Sequence, residues 1–78
     1  MREGLLWFDN DPKRSLADKV TRAATRYQSK FRQKPTICFM NDADFAGNPE
    51  KVNGIVLKTA PNVLRHHLWI GVEGKVAG

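Results

Sequence analysis

The sequence predicts a small two-layer α/β (α+β) domain, with the element order β-α-β-β-β and one amphipathic helix packed on a mixed four-stranded sheet. Short apolar runs bounded by turn residues recur along the chain, as expected for buried strands. One long segment places apolar residues every three or four positions, which is typical of a helix with one buried face. The hydrophobic fraction of 41% and charged fraction of 27% indicate a globular chain rather than a disordered one.

The first strand and the start of the helix lie in the stretch LLWFDNDPKRS. Leu5–Phe8 is continuously apolar, which indicates a strand that is buried on both faces. Asp11 before Pro12 suits the N-cap and first turn of a helix, because the N–H that proline lacks would be unpaired there anyway. Ser15 with Asp18 offers a second possible helix start one turn later.

The helix is predicted to run from about Pro12 to Phe31. Pro35 prevents any continuation, because the residue before a proline is pushed out of helical geometry. The apolar repeat that predicts the helix consists of Leu16, Val20, Ala23, Tyr27 and Phe31.

Three more strands are predicted after the helix, at Thr36–Asn41, Gly54–Thr59 and His67–Val72. The stretch between the first two of these, residues 42–53, lacks periodicity and is rich in turn residues, so we expect a loop there. A strand, a helix and a returning strand favour a parallel arrangement of the first two strands. The last two strands are expected to form an antiparallel, hairpin-like pair.

A single helix cannot cover both faces of such a sheet. Met40, Val56 and Trp69 are therefore candidates for the uncovered face, and a homodimer is one way to bury it. This reasoning gives one functional hypothesis, a protein-interaction or oligomerisation module that uses the uncovered sheet face.

The cysteine content and the hydropathy of the sequence limit the cellular compartment and the classes of partner that we expect. The one cysteine, Cys38, excludes an intrachain disulfide and a cysteine-based zinc site, and we expect it to be a small buried side chain. The apolar run near the N-terminus is too short for a signal peptide or a membrane span. We therefore expect a cytoplasmic protein with no membrane partner and no cofactor, built as one domain over residues 1–73 with a frayed tail at 74–78.

The predicted helix is strongly basic. Of the 13 Lys and Arg residues, eight fall between Lys13 and Lys34, against one acid, Asp18. At ~100° per residue, four of them lie in a band about 80° wide on the flank of the helix. Their mutual repulsion would be relieved by a polyanion. This basic ridge consists of Lys19, Arg22, Arg26 and Lys30.

The basic ridge predicts contact with a nucleic-acid backbone; the alternative is an ordinary solvated helix face. The net charge of +5 favours encounters with polyanions in either case. The sequence contains no zinc finger, aromatic RNA-binding signature or GxxG loop, so it does not support base-specific recognition.

Four aspartates follow the ends of the first two predicted strands: Asp9, Asp11, Asp42 and Asp44. If those strands are neighbours, the four carboxylates meet at one rim of the sheet, where they could hold a divalent cation such as Mg²⁺. That is the hypothesis of a metal-dependent phosphodiesterase. The alternative gives these residues structural roles as helix caps and turn residues, and on that interpretation we assign no catalytic residue. The adjacent histidines, His66 and His67, would point to opposite faces and could not both bind one metal comfortably.

Several pieces of the sequence together resemble a small prokaryotic protein family with no assigned function. The pieces are LLWFDNDPKRSLADKV, RYQSKF, PTICFMN and HHLWIGVE, and they extend over most of the chain. The resemblance implies no role for any individual residue.

Overall fold

The computed structural model describes residues 4–45 and 50–72; the tail at 74–78 lies outside the described residues. One main helix and a five-stranded mixed sheet form an α+β fold, which confirms the predicted class. The fifth strand, together with a one-turn helix, forms in the stretch predicted as a loop. The elements in chain order are β1 (Gly4–Phe8), α1 (Leu16–Phe31), β2 (Ile37–Met40), α2 (Asp42–Phe45), β3 (Lys51–Val52), β4 (Ile55–Thr59) and β5 (His67–Gly71).

The strand order in the sheet is β1-β5-β2-β4-β3. β5 is antiparallel to both of its neighbours, β1 and β2, while β2 and β4 are parallel. β1 and β2 therefore run in the same direction, as expected, but β5 separates them. The predicted hairpin between β4 and β5 is wrong, because β2 lies between those two strands. β5 instead takes an interior place with both of its edges paired, which buries Leu68 and Ile70 in the core with the helix residues.

The short strand β3 is formed by a tight turn at Asn53 and Gly54. Both residues have positive φ, 50° and 80°, the geometry of the two-residue turn that Asn-Gly pairs favour between antiparallel strands. The Nδ2 of Asn53 donates a hydrogen bond to the Thr21 hydroxyl at 2.9 Å. The turn is thereby attached to the helix side of the sheet.

Helix α1 begins at the second of the two predicted starts. The hydroxyl of Ser15 accepts the Asp18 N–H at 3.1 Å, and Ser15 is the N-cap. The prediction that Asp11 caps the helix is wrong. Asp11 instead accepts the Lys13 N–H on its carboxylate, which holds a separate turn before the helix. The Ser15 cap prevails because it leads directly into the amphipathic repeat.

The core lies between α1 and one face of the sheet. Val20, Ala23 and Tyr27 are the buried helix residues, and they pack against alternate residues of the strands. Met40 belongs to this core and is fully buried, so its predicted place on the uncovered face is wrong. Strand alternation puts Phe39, one residue earlier, on the face away from α1. We call that second face the open face.

Candidate nucleic-acid interface

The basic ridge lies on the flank of α1 nearer to β1. Thr21, on the opposite flank, contacts Asn53 next to β3. Lys19 instead lines a recess together with Asp9 and His66, at the end of the sheet where β1 stops and β5 starts. Because the four ridge residues share one flank, the whole ridge follows the β1 side of the helix. Arg22, Arg26 and Lys30 are exposed, and Lys19 is half-buried.

Few carboxylates oppose the ridge. Arg22 lies 3.9 Å from Asp18 across one helical turn, a distance at which an exposed pair contributes little. Lys30 lies over the ring of Phe31, 5.5 Å from its centroid. Within residues 4–45 and 50–72, no carboxylate comes within 4.0 Å of Arg26 or Lys30. The ridge therefore keeps most of its positive charge available to an anion from outside.

The structure brings Asp9 and Asp44 to the same recess as His66, whose carbonyl accepts the Asp9 N–H and whose N–H donates to the Asp44 carboxylate. Asp9 is the one buried acidic residue among those described. Its carboxylate accepts the Asp11 N–H at 3.0 Å and the Arg14 guanidinium at 3.1 Å. These contacts, above all the backbone N–H, hold the pKa of Asp9 below its ordinary value.

Asp44 has a similar structural role on the other side of the recess. Its two carboxylate oxygens accept the Arg65 Nε at 2.7 Å and the His66 N–H at 2.6 Å. Burial opposes ionisation of Asp44, but the His66 N–H and the Arg65 charge outweigh it and lower the pKa of the carboxyl. Asp44 thus fixes the loop that leads into β5.

The four aspartates do not form a metal site. Asp9 and Asp44 share the recess, which has a volume of about 160 Å³, but their carboxylates are engaged by N–H groups and arginines. The Asp11 carboxylate accepts the Lys13 N–H in the turn before α1, and Asp42 is exposed in α2. In the described part of the chain, no three His, Cys, Asp or Glu side chains are placed to hold one metal ion. The strand order explains part of this, because β5 enters between the two acidic strand ends.

The two histidines face different surroundings. His66 is exposed, has a φ of 66° and lines the recess. The His67 ring packs against Phe8 on the open face at a tilt of 49°, with 4.9 Å between ring centroids, and its Nδ1 lies 2.9 Å from the Arg65 carbonyl oxygen. The two rings therefore do not converge on one ligand.

The open face carries an apolar groove of about 570 Å³. Its floor is a row of residues in register across three strands, Leu6, Trp69 and Phe39. The loop between β4 and β5 forms its wall, with Leu64 70% exposed. Of the residues predicted for this face, Trp69 lines the groove, while Val56 lies half-buried on the same face, nearer to β3.

Two of these features left signals in the sequence that our prediction did not use. The Asn53-Gly54 pair between two apolar residues is the usual mark of a two-residue hairpin, and it predicts β3. Successive side chains of a strand point to opposite faces, so Phe39 and Met40 cannot both lie on the open face.

A comparison with known protein families, with curated proteins and with solved structures found no match. The resemblance to a small prokaryotic family therefore stays a prediction. Across the described ranges, no helix combines the length and the apolar character needed to cross a membrane.

Proposed function

We propose that this protein is a small non-catalytic binding module that contacts the phosphate backbone of nucleic acids through the basic ridge. The observation that supports the proposal is the charge imbalance on α1, where Lys19, Arg22, Arg26 and Lys30 follow one flank and Asp18 is the nearby acid. Cations spaced along a helix suit the regular charge of a nucleic-acid backbone, and binding them releases counterions.

The distribution of the other charges supports the same proposal. The acids at the sheet rim are satisfied by arginines outside the ridge, Arg14 and Arg65. Of the four ridge residues, Lys19 lies in the recess beside these acids, and its charge helps to lower the pKa of Asp9. The ridge charge that supports the proposal is therefore that of Arg22, Arg26 and Lys30. We place this binding function in the cytoplasm.

Contact with the backbone alone makes binding dependent on salt and tolerant of sequence. We expect log K to fall linearly with log salt concentration between about 50 and about 200 mM. Duplexes of different sequence should bind with similar affinity, because phosphate contacts carry no sequence information. Fluorescence anisotropy with labelled duplex DNA and labelled RNA measures both properties.

A matched pair of double variants tests the ridge itself. R22A/R26A removes two exposed charges from the ridge, while K51A/K58A removes two exposed charges from β3 and β4. The ridge variant should lower the salt slope by about two and weaken binding to all sequences alike, and the control should change neither. Equal effects of the two variants would show that binding depends on net charge in general and not on the ridge. Absence of binding at low salt would contradict the proposal.

The open-face groove favours a second candidate function, a protein-interaction module. Leu6 and Leu64, which line the groove, are 57% and 70% exposed, and Phe8 on the same face is 57% exposed. The partner that fits this surface is an apolar segment of another protein, whose side chains would fill the space between Leu64 and Trp69.

Substituting a wall residue tests this candidate. Leu64→Ser is expected to leave the fold intact, because the side chain is mostly in solvent, and to reduce binding of a hydrophobic probe such as 8-anilinonaphthalene-1-sulfonate. Thr25→Ser, on the exposed side of α1, is the control. Equal probe binding by the wild type, L64S and T25S would count against the groove as a docking site.

A further inference from the structure

We propose that two copies of this protein pair through β1, antiparallel and centred on Leu6, to form one continuous ten-stranded sheet. This inference goes beyond the proposed function and does not rest on it. It follows from the place of β1 at the edge of the described sheet, from the direction of the backbone groups along that edge, and from the fit of the side chains in one register.

The two edges of the sheet differ in how they are protected. β3, at one edge, has two residues, and one of them is an exposed lysine. β1, at the other edge, has five residues and carries no charge and no proline. No strand within the described ranges pairs with its outer side. Edge strands are usually protected from pairing by being very short or by carrying charges. β1 is not very short and carries no charge.

The backbone groups of β1 alternate between β5 and the outer side. The Asp9 N–H donates to the His66 carbonyl on the β5 side at 3.0 Å. In an antiparallel pair, residues two apart face the same neighbour. Trp7 and Leu5 therefore also pair with β5, while Phe8, Leu6 and Gly4 direct their N–H and C=O groups outward.

One register uses all of these outward groups. With a two-fold axis at Leu6, Leu6 faces Leu6 of the second copy, and Phe8 faces Gly4. Each of these is a hydrogen-bonded pair, because both members direct their backbone groups outward. A contact in which residue i meets j and j meets i is the isologous kind that closes as a dimer.

The side chains fit the same register. Leu6 and Phe8 lie on the open face, and each is 57% exposed, so pairing covers apolar surface that is otherwise in water. Phe8 of one copy would lie beside Gly4 of the other, which has no side chain to obstruct it. The indole of Trp69 lies over Gly4, since a Cβ there would be 2.8 Å from Trp69 Cε2. The Phe8 ring would therefore meet an aromatic surface.

The symmetry also fixes where the two helices lie. An antiparallel pairing within one sheet requires a two-fold axis perpendicular to the sheet, which keeps both α1 helices on the same face. Because each basic ridge follows the β1 side of its helix, the two ridges face each other across the new joint. Their repulsion opposes self-pairing at low salt, and screening weakens that repulsion as salt rises. The dimer should therefore strengthen with salt.

Cysteine cross-linking tests the register with a closely matched control. In the proposed dimer the two Leu6 Cα atoms are about 5.5 Å apart, within the roughly 4.4–6.8 Å that a disulfide spans. The two Phe8 Cα atoms are more than about 13 Å apart, since they lie four residues apart along the strands. Leu6→Cys should therefore give a disulfide-linked dimer in a glutathione redox buffer, and Phe8→Cys, at a position of the same 57% exposure, should not.

Sedimentation equilibrium without nucleic acid provides the second measurement. The wild type should show a monomer–dimer equilibrium that shifts toward dimer between low and high salt. Leu6→Pro should remain monomeric while keeping its fold by circular dichroism, because it removes an outward N–H and none that pairs with β5.

Three outcomes would overturn the proposal. A wild type that stays monomeric up to about 1 mM at every salt concentration excludes the pairing. A dimer that survives Leu6→Pro uses another surface, such as the open-face groove. Equal cross-linking of the Leu6 and Phe8 cysteine variants excludes the register.

Discussion

The carboxylate of Asp44 accepts the backbone N–H of His66 at 2.6 Å, although 22 residues separate them in the chain. This contact joins the short helix α2 to the turn that starts β5. It occurs where His66 adopts a positive φ of 66°, a conformation that a non-glycine residue rarely takes without support. The acidic end of β2 thus stabilises the start of β5, an interior strand of the sheet.

Removing the Asp44 carboxylate should destabilise the fold. Asp44→Ala leaves the His66 N–H and the Arg65 guanidinium without this acceptor, and we expect a loss of about 1–3 kcal/mol in the free energy of unfolding. Asp42→Ala, an exposed position in the same helix turn, is the matched control and should change stability by less than about 0.5 kcal/mol. Urea titration measures both values, and equal losses would contradict the assigned role of Asp44.

Stability should fall in acid through the two aspartates of the recess. The pKa values of Asp9 and Asp44 are lowered in the folded protein, so each carboxylate contributes stability that is fully present above its unfolded pKa of about 3.9. That contribution is lost as the pH falls through the lower folded pKa values. Urea midpoints from neutral pH to about pH 2 should show a decline that is shallower in Asp9→Asn and in Asp44→Asn than in the wild type. Unchanged slopes in both variants would contradict the assignment.

A glycine at the end of α1 should stabilise the protein. Arg32, the C-cap, has a φ of 57° and its N–H donates to the Gln28 carbonyl. Glycine takes this left-handed conformation without the penalty that a side chain imposes. Arg32→Gly should raise the free energy of unfolding by up to about 1 kcal/mol. Gln33→Gly, one residue later, should lower it slightly or leave it unchanged, and a similar rise in both variants would point to a general effect of added glycine.

Cys38 should be inert while the protein is folded. Burial raises the pKa of its thiol to about 12, so almost no thiolate exists near neutral pH, and the side chain is inaccessible to reagents. A thiol reagent such as 5,5′-dithiobis(2-nitrobenzoic acid) should react at a rate limited by unfolding, and at once in denaturant. Fast reaction of the native wild type would show that β2 opens easily. A slow rate makes Cys38 a suitable silent background for the Leu6→Cys experiment.

Nucleic-acid binding and dimerisation should favour each other if both proposals hold. The dimer places two basic ridges on one face, and a polyanion bound between them offsets their repulsion. By linkage, the factor by which duplex DNA tightens the dimer equals the factor by which dimerisation tightens DNA binding. Leu6→Pro should therefore weaken DNA binding without touching the ridge, whereas R22A/R26A should weaken it while leaving the Leu6→Cys cross-link intact.

The local elements were predictable because local chemistry determines them. The repeat that ends at Phe31 predicts α1, and the Ser15 cap was one of the two starts considered. The competing start at Asp11 was indistinguishable in the sequence, since aspartate followed by proline also forms an isolated turn. Which start prevails depends on whether the next turn can reach the core, a tertiary property.

The strand order was not predictable from the same patterns. A buried strand between two others has the same apolar character whichever neighbours it has, so nothing in residues 67–71 indicates that β5 enters between β1 and β2. This strand order is the reason why the predicted hairpin between β4 and β5 is wrong. It also put the start of β5 between the two acidic strand ends, so that the carboxylates of Asp9 and Asp44 share a recess but bind N–H groups and arginines and not a common ion. The basic ridge was less sensitive to topology, because it lies within a single helix.

The position of β5 between β1 and β2 has a consequence for the order of events during synthesis. β1 and β2 have no direct contact through their backbones, so the sheet cannot join its two halves until residues 67–71 have left the ribosome. Until then β1 is a solitary apolar strand with both edges exposed, a vulnerable state for a nascent chain. We expect that a chain truncated before Arg65 retains a helical segment but has no cooperative unfolding transition.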